Sequence, residues 1–401
     1  MHIVIIGGGL GGSTTAGALR EQGFDGDVTL VGAEAHLPYD RPPLSKDYLS
    51  GSSTFDDGVV LHPREWYDEQ RISLLLGTRA TAVDPRGHRV TLNDGTTLEY
   101  DKLVLATGST ARTLSLPGAD AQCVHTLRTR EDSDAIRAEF GEGRRLVVIG
   151  GGWIGLEVAA SARGVGTTVT VLEHEELPLL KALGPEMAQV FADLHTEHDV
   201  DLRPTVEVAE IVTEGGRATG VRLGDGSTVE ADAVVIGVGA APDLSLAETA
   251  GLDLDGGVLV DASLRSSDPD VYAVGDIAAH DHPTFGRIRV EHWNAASTHP
   301  VTAVAALLGG DAAYTDAPYF FSDQYDLGME YLGHAPQGTY DRVATSGDVG
   351  KREFVASWLD GSGRLLAVMN VNVWEGLDGL RGYVGSQEPV PDEVVQVVAQ
   401  K

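Results

Sequence analysis

The stretch IVIIGGGLGG at residues 3–12 decides the fold of this chain. Its first four residues are apolar and all β-branched, which is typical of a buried strand, and its glycines run directly into a helix predicted over residues 13–22. In a GxGxxG spacing, one glycine forms the tight turn, one lets a ligand approach the backbone, and one brings the helix against the strand. The stretch therefore predicts a dinucleotide-binding unit with the pyrophosphate at the N-terminus of the helix.

The same pattern returns as RLVVIGGGWIG at residues 145–155, followed by a predicted helix at 156–163 and a strand at 168–172. A single GxGxxG match is weak evidence, but here both matches have their strand and their helix. We therefore predict two dinucleotide-binding units that arose by duplication. The alternative, in which the glycine turns only pack a helix on a sheet without a ligand, stays open at this point.

An acidic residue follows the second strand of each unit. Glu34 comes 22 positions after Gly12, and Glu173 comes 18 positions after Gly155. A carboxylate in this place accepts hydrogen bonds from ribose hydroxyls and repels a 2′-phosphate. Glu173 therefore favours NADH over NADPH, the alternative being a solvated carboxylate at a strand end.

The two halves also share a hairpin signal and a strand that ends in glycine. Asn93-Asp94-Gly95 and Gly224-Asp225-Gly226 each separate two short strand-like runs. Beyond about residue 315 the glycine motifs stop and alternating runs appear, at 352–358 and 364–373. The pattern predicts an α/β fold with two Rossmann-like dinucleotide-binding domains of the glutathione reductase type and a C-terminal α+β domain.

We place the domain boundaries from this pattern. The first dinucleotide-binding domain is discontinuous and covers residues 1–110 and 241–314. The second covers residues 111–240, and the C-terminal domain covers residues 315–401.

Composition excludes several classes of protein. The 401 residues carry 29 Lys+Arg and 60 Asp+Glu, a net charge of −31, which repels nucleic acid and anionic lipid. We interpret this charge as a well-solvated surface, with adaptation to salt as one possible origin. The single cysteine, Cys123, allows neither an internal disulfide nor a CxxC motif, and the sequence has neither a signal peptide pattern nor a long apolar run. We predict a cytoplasmic location without membrane attachment.

Two further features require an interpretation. Glu157 lies within an apolar helical segment, where an unpaired carboxylate is costly, so a ligand or partner is expected. The alternative is that backbone amides at the N-terminus of the helix satisfy it. His280-Asp281-His282 resembles a metal-binding fragment only faintly, and we expect a solvated loop there and no metal site.

Five segments carry a resemblance to a known family: LPYDRPPLSK at 37–46, ATGS at 106–109, residues 150–160, AVGD at 273–276 and SDQY at 322–325. In order and spacing they resemble the FAD-dependent ferredoxin reductases of the putidaredoxin reductase and rhodocoxin reductase type. The resemblance spans almost the whole chain. It implies a three-domain flavoprotein in which the C-terminal domain closes over the flavin.

The resemblance also implies roles for individual residues. For FAD they are Gly7, Gly9, Gly11, Gly12, Glu34, Arg41, Lys46, Ala80, Ala106, Thr107, Gly108, Arg128, Gly275, Asp276 and Trp293. For NADH they are Gly150, Gly152, Gly155, Glu157 and Glu173, with Glu157 at the nicotinamide carboxamide. Lys46, Glu157 and Trp293 are the implied catalytic residues.

Physical arguments accompany two of these roles. Asp276, at the start of a helix after a strand, is suited to accept hydrogen bonds from ribitol hydroxyls. A cation at Lys46 stabilises the negative charge that accumulates on reduction of the flavin, the alternative being a surface lysine.

The sequence departs from the family in two places. The family often has tryptophans in the segment that is PYFFSDQ here, at 318–324, so no aromatic electron path is predicted in it. The resemblance implies a basic surface that docks an acidic ferredoxin, and the negative net charge of this chain does not suit such a surface. Arg342, Arg352 and Arg364 are the local candidates for it.

The activity implied by the resemblance is electron transfer from NADH through FAD to a [2Fe-2S] ferredoxin, which supplies a terminal monooxygenase or dioxygenase. We expect the protein to be a monomer or a weak homodimer. A peroxide-forming NADH oxidase remains an alternative because oxygen can oxidise any accessible reduced flavin. A redox-sensing flavoprotein that signals by dimerisation is the second alternative. A disulfide reductase requires a reactive cysteine beside the flavin. Cys123 lies outside the 41–46 segment, so this class of enzyme is disfavoured.

Overall fold

The computed structural model describes residues 1–397 and consists of two compact units. Unit 1 contains residues 1–40, 59–110 and 241–320, and unit 2 contains residues 41–58, 111–240 and the chain from Phe321 onward. The last four residues of the predicted C-terminal domain, 398–401, lie outside the described residues.

Regular elements follow one another closely along the chain. Up to residue 111 they are β1 (His2–Ile6), α1 (Leu10–Glu21), β2 (Asp27–Val31), α2 (Asp47–Ser50), α3 (Phe55–Gly58), α4 (Arg64–Glu69), β3 (Ile72–Leu75), β4 (Ala80–Asp84), β5 (Arg89–Leu92), β6 (Thr97–Glu99), β7 (Lys102–Leu105) and β8 (Ser109–Ala111). Up to residue 242 they are β9 (Val124–His125), α5 (Arg130–Arg137), β10 (Arg145–Ile149), α6 (Trp153–Gly164), β11 (Thr168–Leu172), α7 (Leu180–Leu183), α8 (Pro185–Glu197), β12 (Asp201–Arg203), β13 (Val208–Glu214), β14 (Arg217–Leu223), β15 (Thr228–Glu230), β16 (Ala233–Ile236) and β17 (Ala240–Pro242).

The remaining elements complete unit 1 and then unit 2. Up to residue 307 they are α9 (Ser245–Thr249), β18 (Val258–Val260), β19 (Val271–Ala273), β20 (Ala278–His282), β21 (Gly286–Ile288) and α10 (Trp293–Leu307). The last ones are β22 (Tyr319–Gln324), β23 (Leu327–Gly333), β24 (Arg342–Asp348), β25 (Glu353–Leu359), β26 (Leu365–Val371) and α11 (Asp392–Val397). Short 3-10 turns lie at Pro42–Ser45, Gly275–Ile277, Val349–Lys351 and Arg381–Tyr383.

A five-stranded parallel sheet in the order β19-β7-β1-β2-β3 forms the centre of unit 1. Strand β1 is apolar from Ile3 to Ile6 because both of its faces are covered there. Ile3 and Ile5 pack with α1 and α10, whereas Val4 and Ile6 belong to the core on the opposite face. The continuous apolar run in the sequence thus marks a central strand of the sheet.

Unit 2 repeats this arrangement and adds a C-terminal sheet. Its parallel sheet has the order β12-β11-β10-β16-β9, with β10 in the position that β1 has in unit 1. The C-terminal segment forms a five-stranded sheet in the order β22-β23-β26-β25-β24, around the fully buried Trp358 and Phe354. The predicted fold class, two Rossmann-like domains with a C-terminal α+β domain, is confirmed.

The two predicted hairpins form with the same local chemistry. The Thr96 hydroxyl donates to Asp94 Oδ1 at 2.7 Å, and the Ser227 hydroxyl donates to Asp225 Oδ1 at 2.7 Å. The glycine that follows each aspartate adopts a positive φ, +84° in the first hairpin and +86° in the second. The duplication therefore extends to the turns.

The expectation of a solvated loop at residues 280–282 was wrong. These residues form the end of strand β20, and the side chains of His280 and His282 are only 1% and 2% exposed. The ring of His280 packs edge-on against those of His299 and Tyr314, at centroid distances of 4.9 and 5.4 Å. Aromatic rings from distant parts of the chain explain the burial, and the local sequence does not reveal these neighbours. Within residues 1–397 no cluster of ligating side chains suits a metal ion.

No helix among the described residues has the length and hydrophobicity needed to span a bilayer.

Candidate dinucleotide sites

The first glycine loop, in unit 1, contains two glycines that the fold requires and one with open space around its Cβ position. Gly7 has φ +130°, and a Cβ there would lie 2.0 Å from the Ala106 carbonyl oxygen. A Cβ on Gly12 would lie 1.9 Å from the Gly7 carbonyl oxygen, so α1 approaches β1 only because residue 12 has no side chain. A Cβ on Gly9, in contrast, would meet nothing within 4 Å. The loop therefore leaves space at the residue where a pyrophosphate needs to approach the backbone, and it fits a dinucleotide.

The second loop, in unit 2, has the same geometry. Gly150 has φ +104°, and a Cβ on Gly155 would lie 2.1 Å from the Gly150 carbonyl oxygen. A Cβ on Gly152 would have its nearest neighbour, the Gly237 carbonyl oxygen, at 3.9 Å. Both loops thus provide a turn, an open backbone position and a close contact between helix and strand.

Glu34 follows β2 near the first loop and is half-buried. It accepts a hydrogen bond from the Tyr39 hydroxyl at 2.5 Å, which orients its carboxylate. Thr107, in the predicted 106–108 segment, donates its hydroxyl to the Asp243 carbonyl oxygen at 2.7 Å. Ala80, another residue of the resemblance, is buried at the start of β4.

The local structure at Asp276 differs from the prediction. Asp276 lies in the 3-10 turn Gly275–Ile277 after β19 and not at the N-terminus of an α-helix. Gly275 has φ +71°, and its N–H donates to His299 Nδ1 at 3.3 Å. The long helix after this strand, α10, begins only at Trp293, because β20 and β21 intervene. The helix-terminus argument for Asp276 is therefore wrong, although its role toward FAD stays a prediction.

Trp293 is the first residue of α10 and is 37% exposed. Its indole N–H lies 2.9 Å from each carboxylate oxygen of Asp40. This shared hydrogen bond orients the indole.

Glu173 is held against the second glycine loop by backbone donors. The Gly151 N–H donates to Glu173 Oε2 at 2.5 Å, and the Glu175 N–H donates to Oε1 at 2.8 Å. Two backbone donors hold the carboxylate in one orientation. The structure therefore fixes the Glu173 carboxylate against the second glycine loop.

Arg203 is a neighbour of this site that sequence reasoning missed. Strand β12 pairs with β11, so that Arg203 lies opposite Leu172, the residue before Glu173. An arginine here would favour a 2′-phosphate, but its guanidinium binds the Asp201 carboxylate at 2.7 Å. Only strand pairing brings residue 203 to this edge of the sheet, so no local motif reveals it.

A buried ion pair joins Lys46 and Glu157 in unit 2. Lys46 Nζ lies 2.8 Å from Glu157 Oε2, and the side chains are only 14% and 3% exposed. The partner of Glu157 is thus a lysine and not the backbone amides of the helix, and Lys46 is not a surface lysine. A buried carboxylate with a charged partner escapes most of the penalty for desolvation.

Two serines complete the surroundings of Glu157. The Ser45 hydroxyl donates to Oε2 at 2.5 Å, and the Ser322 hydroxyl donates to Oε1 at 2.7 Å. Both serines lie in segments that carry the family resemblance, but nothing in the sequence links them to Glu157. In the same unit, the Arg41 guanidinium donates to the Arg128 carbonyl oxygen at 2.5 Å.

Comparisons with known proteins agree with this architecture. The family model for pyridine nucleotide-disulphide oxidoreductases matches residues 1–299, and the model for the reductase C-terminal domain matches residues 319–397. The ferredoxin--NAD(+) reductase component of the anthranilate 1,2-dioxygenase system of Burkholderia cepacia is 41% identical over 388 residues, which are 96% of this chain and 94% of the relative. Rhodocoxin reductase of Rhodococcus erythropolis is 39% identical over 98% of this chain and 91% of its own.

A solved structure extends the likeness to three dimensions. The crystal structure of the covalent putidaredoxin reductase-putidaredoxin complex contains a chain that is 35% identical, with a TM-score of 0.93. The match covers 98% of this chain and 95% of that one.

Proposed function

The chain belongs to the pyridine nucleotide-disulphide oxidoreductase family, and from this premise we propose that it passes electrons from NADH through FAD to a [2Fe-2S] ferredoxin that supplies a monooxygenase or dioxygenase. The observation that carries the proposal is the pair of glycine loops, each with an open backbone position and an oriented acidic residue. Relatives named as ferredoxin reductase components of oxygenase systems support the choice of electron acceptor.

FAD is proposed to bind at the first glycine loop. The open position at Gly9 receives the pyrophosphate, and the Glu34 carboxylate accepts hydrogen bonds from the adenosine ribose. The cofactor supplies the chemistry that converts a two-electron donor into two one-electron transfers. The other residues proposed to contact FAD are Gly7, Gly11, Gly12, Arg41, Lys46, Ala80, Ala106, Thr107, Gly108, Arg128, Gly275, Asp276 and Trp293.

NADH is proposed to bind at the second loop. Gly152 gives the pyrophosphate access to the backbone, Glu173 receives the ribose hydroxyls, and Gly150 and Gly155 hold the turn. The preference for NADH follows from the fixed charge of Glu173 and from the pairing of Arg203 with Asp201.

Glu157 is proposed to bind the nicotinamide carboxamide. A carboxylate offers about four lone-pair positions, and Ser45, Lys46 and Ser322 occupy three of them. The remaining position, on Oε1, can accept an N–H from the carboxamide. Lys46 has a second role in the proposal, since its positive charge favours an electron-rich flavin.

The domain assignment forms part of the same proposal. FAD belongs to residues 1–110 and 241–314, NADH to residues 111–240, and the C-terminal domain to residues 315–401. We further propose a cytoplasmic location, in view of the single cysteine, and a monomer or weak homodimer.

The test is an anaerobic stopped-flow experiment on the FAD-loaded protein. NADH should bleach the flavin absorbance rapidly, and a following mix with an oxidised [2Fe-2S] ferredoxin should restore it while the ferredoxin becomes reduced. A flavin that keeps its electrons against several ferredoxins but loses them to oxygen would make the protein an oxidase. Dimerisation on reduction without turnover would instead identify a redox sensor.

A further inference from the structure

A series of buried side-chain hydrogen bonds runs through unit 2 from Glu157 to helix α8. Beyond the contact between Ser322 and Glu157, Gln324 Nε2 lies 3.1 Å from Ser322 Oγ. His195 Nε2, on α8, lies 2.8 Å from Gln324 Oε1. Ser322, Gln324 and His195 are each at most 1% exposed. Because buried polar groups are costly unless they are paired, such a series requires every donor to face an acceptor.

The carboxylate of Glu157 determines the direction of the series. An ionised carboxylate only accepts, so the Ser322 hydroxyl must donate its hydrogen to Glu157. The Ser322 oxygen then accepts from the amide nitrogen of Gln324, which turns the amide oxygen toward His195. His195 must therefore carry its hydrogen on Nε2, and each donor in the series points toward Glu157.

The far end of the series is consistent with a neutral imidazole. Burial lowers the pKa of His195 to about 4, so the ring is uncharged at neutral pH. Its Nδ1 then serves as an acceptor and lies 3.4 Å from the Tyr325 hydroxyl. A neutral, singly protonated ring can donate to Gln324 in only one tautomer.

We propose that Ser322, Gln324 and His195 are positioning residues that fix the Glu157 carboxylate for the nicotinamide carboxamide. The inference rests on the proposed function and deepens it. Ser322 and Gln324 lie on β22, in the segment that matches the reductase C-terminal family, whereas Glu157 lies on α6 of the second dinucleotide unit. Strand β22 therefore completes the nicotinamide side of the NADH site.

The main test compares NADH with ADP-ribose, which has the same pyrophosphate and adenosine but lacks the nicotinamide. We expect Ser322→Ala and Gln324→Leu to raise the Kd of NADH roughly tenfold, as loss of a buried hydrogen bond does. The inhibition constant of ADP-ribose should stay unchanged. The Kd comes from the NADH dependence of flavin reduction in anaerobic stopped flow, and flavin content is measured on each FAD-loaded variant.

Variants of helix α8 provide a rescue and a matched control. His195→Leu should weaken NADH binding, whereas His195→Gln should restore it, because its side-chain amide can donate to Gln324. Gln189, also on α8, is exposed, and its side-chain amide donates to Asp193 Oδ1 at 2.8 Å. Since this pair is outside the series, Gln189→Leu should leave NADH affinity unchanged.

A readout independent of activity is the tautomer of His195. In the FAD-loaded protein with ¹⁵N-labelled histidine, the ring nitrogens of His195 should show the Nε2–H form at neutral pH. An Nδ1–H form, or a Kd for NADH that rises no more than that for ADP-ribose, would overturn the positioning role. A wild-type protein that does not bind NADH would instead overturn the proposed function, and the positioning role with it.

Discussion

Glu173 shows how backbone donors can fix the orientation of one carboxylate. The donors are the N–H groups of Gly151 and Glu175, so the carboxylate cannot turn away from the loop. A dianionic 2′-phosphate placed against this charge would be repelled, and the guanidinium of Arg203 is already paired with Asp201.

We expect Glu173→Arg to narrow the preference for NADH over NADPH at least tenfold, because it replaces a repulsive charge by one that binds phosphate. The measurement is kcat/KM for each nucleotide with a fixed acceptor. Glu176→Arg, which adds the same charge at an exposed neighbouring residue, is the matched control and should change the ratio little. An unaltered ratio in Glu173→Arg would remove residue 173 from the ribose site.

At the scale of elements, each strand–loop–helix unit depends on two different kinds of glycine. Gly12 is required for packing, because a Cβ there would overlap the Gly7 carbonyl group. Gly9 is free of such contacts, and its φ of −100° suits any residue. The same motif therefore contains a glycine that the fold needs and one whose side-chain position is open.

This distinction predicts opposite outcomes for two alanine variants. Gly9→Ala should fold with nearly wild-type stability but retain less FAD, whereas Gly12→Ala should lose stability as well as FAD. Flavin content from the ratio of absorbance at 450 and 280 nm, together with urea unfolding of the apoprotein, separates the two effects. Full FAD retention in Gly9→Ala would mean that the pyrophosphate does not approach the loop there.

The histidines of β20 and α10 give unit 1 an acid-sensitive element. Burial lowers the pKa of His280 to about 4 and that of His299 well below its usual value. His282, Asp281 and Arg287 act on the charge of His280 as well. The unfolded chain takes up protons near pH 6.5, whereas the folded protein resists them, so acid favours unfolding.

Above pH 6.5 we expect His280 to leave the free energy of unfolding unchanged. Between pH 6.5 and about 4 its contribution should lower the free energy of unfolding by about 3 kcal/mol. Urea unfolding at a series of pH values measures the profile. His280→Phe, which keeps a ring but cannot titrate, should lose less stability over the same interval. Parallel profiles for the two proteins would contradict the assignment.

For the whole molecule, the net charge of −31 sets the field that a protein partner meets. The arginines considered for a basic docking surface are each paired with an acidic residue. Arg352 binds Glu197 at 2.5 Å, Arg364 binds Asp360 at 2.7 Å, and Arg342 lies 3.8 Å from Asp392. Their charges are therefore compensated locally, and they do not offset the negative field.

We consequently expect the second-order rate constant for reduction of an acidic ferredoxin to rise with ionic strength, because salt screens the repulsion. Stopped flow with the pre-reduced protein at several NaCl concentrations measures it. The limiting rate of flavin reduction at saturating NADH serves as the control, since it involves no protein association. A rate constant that falls with salt would show that a local basic surface outweighs the net charge.

The sequence by itself determined the features that depend on local chain geometry. Both parallel sheets, both glycine loops, both Asx hairpins and the acidic residue after each second strand follow from short-range patterns, because turn geometry and strand burial impose the residue types directly. Strand β11 has the predicted bounds, 168–172.

Only the tertiary structure decided which distant side chains meet. The partners of Glu157 come from residues 45, 46 and 322, and Arg203 reaches the Glu173 edge through strand pairing. The burial of His280 and His282 depends on rings of other elements. Local patterns specify backbone conformation, whereas the buried polar network around Glu157 depends on contacts between residues that are more than a hundred positions apart. No short-range pattern encodes such contacts.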